Sequence, residues 1–202
     1  VISDAAKDLS VRAMSYTKEN PLYVVAIGAI TNVASAILKN PNMKENCVVV
    51  WLGGHGLHMP QAAGEFNMCH DIAGARILLG CGVPVVLLPC NGVVDHFSTT
   101  KQELEYWLKG KNSLCDYLYE NTVRYVESYA VGRPWSKVIW DVTAVAWPMN
   151  EQEKFMKDYL IPSPIAEYDM HYAIDPTRHL IRYVYRIKRD SLFEDLFKVL
   201  GE

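Results

Sequence analysis

Short apolar runs alternate with helix-spaced stretches through the first half of the chain. Residues 4–19 carry apolar positions at helical spacing until Pro21 stops them, which predicts a helix there. Leu22–Ile27 is a β-branched apolar run of strand length, and 31–39 returns to a helical pattern. Cys47–Leu52 reads as a second buried strand, and Gly53–Ala63, rich in Gly and His with one Pro, as a loop. A helix over 70–81, ending near Gly82, and a third strand at Val83–Leu88 complete the pattern. Strands apolar on both faces, with helices between them, predict an α/β fold built on a mostly parallel sheet.

Beyond Asn91 the periodicity is mainly helical. Residues 100–109 and 113–130 read as two helices, the second with Leu114, Leu118, Tyr125 and Tyr129 at roughly helical spacing. VGRPW breaks the pattern, and Asp141 opens a short helix whose apolar face includes Val145. Further on, IDPTRH reads as a turn joining two strands, Tyr168–Ile174 and Leu180–Ile187, in a hairpin. An amphipathic helix over 190–200 ends the pattern. No repeat, low-complexity tract or linker interrupts it, so residues 1–202 are expected to form a single domain.

Composition narrows the class. Half of the 202 residues are hydrophobic and 21% are charged, which suffices for one substantial core. The formal net charge is −3 with Lys and Arg dispersed, which gives no electrostatic reason to expect nucleic acid or a membrane surface as partner. The longest apolar runs are far too short to cross a bilayer, and no basic segment precedes an apolar one at the start. Five cysteines form no CxxC pair, and most lie in apolar surroundings. They read as reduced, buried thiols of a cytoplasmic protein.

Three stretches could carry chemistry. In AIGAITN, residues 26–32, a strand turns at Gly28 directly into a helix, the kind of junction at which α/β folds place ligands. Thr31 or Asn32 capping the helix would explain it equally well. In Glu65-Phe66-Asn67 a carboxylate and an amide stand two apart, a pairing suited to a sugar diol, because the acid accepts from hydroxyls and the amide both donates and accepts. A capped helix start with Phe66 in the core is the alternative. Trp140-Asp141 offers a large π-face beside a carboxylate, or else a core tryptophan followed by an N-cap. His55, His58, Cys69 and His70 fit no compact zinc spacing, although His55 or His58 could line a pocket mouth. Neither a GxSxG nor a Walker-type loop is present. Tyr168, Tyr172, Tyr183 and Tyr185 are expected to serve packing.

In this order and spacing, AIGAITN, Glu65-Phe66-Asn67 and Trp140-Asp141 resemble the nucleoside hydrolases, which cut the N-glycosidic bond between ribose and a nucleobase. The resemblance implies an open, mostly parallel sheet flanked by helices, and a Ca²⁺ cofactor bound by the Ile27 backbone carbonyl and Asp141. It also implies ribose recognition by Glu65 and Asn67 with Phe66 nearby, and a purine stacked on Trp140. Where related enzymes have a histidine as leaving-group acid, this chain has Trp140, whose indole N–H is a donor only. Base stacking there would be worth about 1–3 kcal/mol. Ala29 replaces the proline usual in the first motif, and the stretch centred on Met59 lacks an asparagine that often contacts ribose.

The aspartate-rich motif DTDxGxDD that opens the family has no match in this sequence. The chain is therefore expected to be an N-terminally truncated, C-terminal portion of such an enzyme, missing the first strands of the sheet and the general base. That leaves the catalytic residue unknown and an exposed central strand edge in prospect. The resemblance further implies a small-molecule nucleoside as partner and a homodimer or homotetramer as assembly. Two readings stand: Ca²⁺-dependent hydrolysis of ribonucleosides, leaning to purines, or a non-catalytic nucleoside-binding or oligomer-partner protein of the same fold.

Overall fold

The computed structural model describes residues 2–202. In chain order its main elements are α1 (Asp4–Arg12), β1 (Leu22–Ala26), α2 (Thr31–Lys39), β2 (Cys47–Leu52), α3 (Phe66–Cys69), α4 (Ile72–Gly80) and β3 (Val85–Leu88). There follow β4 (Ser98–Thr99), α5 (Lys101–Trp107), α6 (Ser113–Ala130), β5 (Lys137–Val138), α7 (Val142–Ala146), β6 (Met156–Pro162), β7 (Ile165–Ala166), β8 (Tyr172–Ala173), β9 (Leu180–Ile187) and α8 (Arg189–Gly201). A five-stranded sheet in the order β1-β2-β3-β9-β6 organises the chain. Its first four strands run parallel and β6 is antiparallel to β9, so the sheet is mixed and mostly parallel, as the pattern predicts.

The side-chain period of two sorts these strands into two cores. Val49, Trp51, Val85, Leu87, Ile181 and Tyr183 face α1, α2 and α4 on one side. Val50, Leu52, Val86, Leu88, Val184 and Ile187 face α5, α6 and α8 on the other. Burial on both faces explains why β2 and β3 read as unbroken apolar runs. β1 is different. Leu22, Val24 and Ala26 pack on the first core, but Tyr23 and Val25 remain 46% and 38% exposed. β1 forms an edge of the sheet, with its outer side unpaired among the described residues.

Several expectations need correction. The helix predicted over 4–19 ends at Arg12, and a 3-10 turn covers Ala13–Ser15. Thr17 and Asn20 then bond each other's backbone, which diverts the chain before Pro21. The helix predicted over 70–81 forms as α4, trimmed at its start, where the Asp71 carboxylate caps it by accepting from Gly74 N–H at 2.8 Å; the short α3 before it ends at Cys69. Neither Thr31 nor Asn32 caps α2: the Thr31 hydroxyl donates to Asp71 and Asn32 accepts from Ser3. On α6 the buried row is Cys115, Tyr119, Val123 and Val126, while Leu114, Tyr125 and Tyr129 face outward. Val145 of α7 is likewise exposed, and Thr143, Ala144 and Ala146 are buried. The tyrosines divide, with Tyr183 buried and Tyr168 and Tyr185 exposed.

The predicted hairpin does not form. β8 pairs with β7, whereas β9 enters the main sheet between β3 and β6. Burying Ile181 and Tyr183 on one face and Val184 and Ile187 on the other outweighs a local turn, and Arg182 is accommodated by Asp158 of β6 at 2.7 Å. The strand β6 carries no clear signal in the hydrophobic pattern; Lys157 and the terminal Pro162 suit its edge position. Among the described residues no helix is long and apolar enough to cross a membrane.

Candidate functional site

Parallel strands deliver their carboxyl ends to one side of a sheet, where ligands of α/β proteins gather. Here the loops after β1, β2 and β3 meet in that place and are tied together. Trp51 Nε1 donates to the Gly28 carbonyl at 3.0 Å, which holds the first loop against β2. The neighbouring Ile27 carbonyl takes part in no hydrogen bond among the described residues. Asn67 donates from Nδ2 to the Leu52 carbonyl at 2.9 Å, so its Oδ1 stays available.

Glu65 is the centre of the second loop. Only 5% exposed, its carboxylate accepts from Asn67 N–H at 2.9 Å, Met68 N–H at 3.0 Å and Gly54 N–H at 2.9 Å. It therefore caps α3 and clasps the start of the loop to its end. Gly54 is required at this closure. Its φ is +71°, and a Cβ would lie 2.0 Å from the Tyr172 hydroxyl oxygen. That hydroxyl is directed at Met68 Sδ, 3.2 Å away, and burial drives its pKa upward. Phe66 is not in the core. It is 73% exposed and packs against His70 with ring centroids 4.2 Å apart.

The wall opposite comes from the chain after β5. Ile139 N–H donates to the Phe97 carbonyl at 2.9 Å and anchors the approach to Trp140-Asp141. Asp141 precedes α7 but makes no capping bond with its side chain. Burial pushes its carboxyl upward, with no cation among the described residues to oppose the effect.

Ile27, Glu65, Phe66, Asn67, Trp140 and Asp141, all chosen from sequence, line one cavity of about 480 Å³, within the range of small-molecule sites. Cys90, Asn91 and Leu52 join them and were missed, although their place at strand ends is a signal that could have found them. His55 lines the cavity too, whereas His58 lies against Gly56 and Gly92. His55 Nδ1 accepts from Asn91 N–H at 3.2 Å, which leaves the ring proton on Nε2. Burial lowers the His55 pKa, opposed by Glu65 and Asp95, and the ring is neutral near pH 7. Burial, with Glu65 next, pushes the Cys90 thiol far up, which favours its protonated form. The cavity wall holds two carboxylates and no Lys or Arg among the described residues.

A larger groove of about 740 Å³ lies between α5 and α8, lined by Trp107, Phe193 and Phe197. Its charged centre is already satisfied by the Arg189–Glu103 pair, with contacts of 2.6 and 2.5 Å, so the smaller cavity is the better chemical site. Calcium is a separate question. It requires about six to eight oxygens, whereas this chain offers the Asp141 carboxylate and the Ile27 carbonyl, with Glu65 committed to backbone donors. No group of three or more metal-binding His, Cys, Asp or Glu occurs among the described residues. The donors present do not fit a complete calcium site.

A mostly parallel α/β sheet with a polar and aromatic cavity at its strand ends defines the class. Within that class, residues 2–182 match the model of the inosine-uridine preferring nucleoside hydrolases, and the chain belongs to this family. Among solved structures it is similar to a purine-preferring ribonucleoside hydrolase from Gardnerella vaginalis, with 18% identity over 98% of this chain and a TM-score of 0.76. An inosine-uridine preferring nucleoside hydrolase from Bacillus anthracis is 19% identical over 100% of the chain, with a TM-score of 0.73. An inosine-guanosine nucleoside hydrolase is 14% identical over 97%, with a TM-score of 0.76. The chain spans 66% of the length of each of these structures. None of the curated protein sequences matches it.

Proposed function

We propose that this chain carries the ribose- and base-binding part of a nucleoside N-ribosyl hydrolase that prefers purines. One observation supports the reading above the others: a single cavity brings two aromatic side chains, Phe66 and Trp140, together with Asn67 and two carboxylates, and without a cationic side chain. Trp140 suits the face of a purine. Asn67 Oδ1, the remaining lone pair of Glu65 and Asp141 suit sugar hydroxyls. The acidic wall disfavours phosphate, so an uncharged nucleoside fits better than a nucleotide.

Asp141 and the Ile27 carbonyl are proposed as part of a Ca²⁺ shell that other groups complete. A general base is not assigned within this chain, since Glu65 is tied by backbone N–H groups and Asp141 is proposed for the metal. The 202 residues alone are accordingly proposed to bind nucleoside and to turn it over slowly or not at all. That no three His, Cys, Asp or Glu side chains among the described residues are grouped so that they could hold a metal ion favours this binding-only behaviour for the isolated chain. A cytoplasmic location is in keeping with five free cysteines. Assembly as a homodimer or homotetramer is in keeping with the half-exposed Tyr23 and Val25 on an unpaired edge strand.

The test is calorimetric titration of the 202-residue chain with inosine, inosine 5′-monophosphate and uridine, followed by a ribose-release assay. Inosine is expected to bind more tightly than either competitor. Equal or tighter binding of the monophosphate would sink the acidic-cavity argument, and rapid ribose release would overturn the proposal that the isolated chain is inactive.

A further inference from the structure

The cavity is rich in acceptors. The Glu65 and Asp141 carboxylates, the Ile27 carbonyl and Asn67 Oδ1 can all receive protons from sugar hydroxyls, but each hydroxyl oxygen is also an acceptor that needs a donor. Donors are fewer, because Asn67 Nδ2 already directs a hydrogen to Leu52. We propose that His55 supplies a missing donor: its neutral ring offers Nε2–H to a ribose hydroxyl, making it a specificity-determining residue for the sugar. This rests on the nucleoside reading above.

Three observations converge on it. The ring lines the cavity beside Glu65, Asn67 and Asn91. Its Nδ1 is occupied by Asn91 N–H at 3.2 Å, so the tautomer is set by the backbone and the donor is Nε2. The backbone N–H of His55 donates to the Ala62 carbonyl at 2.7 Å, which closes the loop and fixes the position from which the side chain projects. Nε2 has no protein partner among the described residues. The ring is thus a pre-oriented donor with one free valence. A hydroxyl is the group that can use it while donating its own proton to a neighbouring carboxylate or amide oxygen.

A purely structural role, holding the loops through Nδ1, is separable from this. In His55→Asn the amide oxygen can take the Nδ1 position and keep the Asn91 bond while the outer donor is lost. In His55→Gln the longer side chain returns an N–H toward the Nε2 position. The experiment is calorimetric titration of wild type, H55N and H55Q with inosine, ribose and hypoxanthine, with ¹⁵N NMR of the wild-type ring. H55N is expected to lose about 3- to 10-fold in affinity for inosine and ribose and nothing for hypoxanthine, as suits one neutral hydrogen bond. H55Q should recover part of the loss, and the ring should show the Nε2-protonated tautomer. Wild-type binding of ribose with H55N unchanged, a loss on hypoxanthine instead, or an Nδ1-protonated ring would overturn the role of His55 while leaving the nucleoside reading intact. Failure of wild type to bind inosine or ribose would overturn both.

Discussion

Replacing Glu65 with alanine tests the structural basis of the site without depending on any ligand. The carboxylate is the shared acceptor of Gly54, Asn67 and Met68 N–H groups at 2.9, 2.9 and 3.0 Å, and the bonds to Gly54 and Met68 are fully buried. Without it, two buried donors lose their partner at a cost of about 1–3 kcal/mol each, the N-cap loss being contained in the same sum. Water entering the space left by the side chain offsets a part, which leaves an expected destabilisation of about 2–5 kcal/mol. Against a typical stability of about 5–15 kcal/mol this is a large fraction. For a chain of this size it corresponds to a fall in Tm of about 5–20 °C. Urea unfolding at pH 7, followed by circular dichroism with the slope held equal to wild type, measures it. Glu65→Gln should lose about half as much, because its amide oxygen still accepts while its nitrogen faces donors. An alanine variant within about 0.5 kcal/mol of wild type would refute the view that one carboxylate clasps the loop.

Trp140→Ala is expected to weaken inosine binding about 5- to 150-fold, from about 1–3 kcal/mol of base stacking, and to spare ribose; equal inosine affinity by calorimetry would exclude stacking on this residue. For Glu103, burial acts to raise the pKa, but hydrogen bonds from Arg189 and Thr99 outweigh it and the net shift is downward. A folded-state pKa below the unfolded one contributes stability above the unfolded value and loses it as pH falls through the folded value. Arg189→Met should therefore cost roughly 1 kcal/mol at pH 7, discounted for a pair about one-third exposed, and much less at pH 3, as read by urea unfolding. Calcium at 1 mM should raise the Tm of the 202-residue chain by no more than about 2 °C, since a Kd near 1 mM yields only about 0.4 kcal/mol. A rise above about 5 °C would mean that the chain alone completes the site.

Much of the site's membership was legible because its members occupy local sequence junctions. Ile27 lies between an apolar strand and a helix, Glu65-Phe66-Asn67 opens α3, and Trp140-Asp141 opens α7, so each stands at a junction visible in the pattern, and the resemblance to a known family singled them out as a set. What spacing could not show was how each side chain is used. Glu65 is both a cavity wall and the cap of α3, so the two roles set against each other coexist in one carboxylate. Phe66 faces outward. Cys90 and Asn91 reach the cavity only because β3 lies beside β2, which is a fact of pairing and not of pattern.

The fold divides in the same way. The apolar runs of β2 and β3 carry their own reason for being central, since a segment apolar on both faces must be covered on both. That holds wherever the segment falls in a sheet, so the chain by itself determined the parallel α/β core, the helices between its strands and the junctions at which chemistry could sit. Tertiary structure alone decided the destination of β9, the formation of β6 beside it, the buried face of α6 and the tautomer of His55. Each depends on a partner far away in the sequence. β9 leaves its nearby turn because the sheet buries more of its side chains than a hairpin would, and the His55 ring is set by an Asn91 N–H that only the adjacency of two strand ends brings within reach.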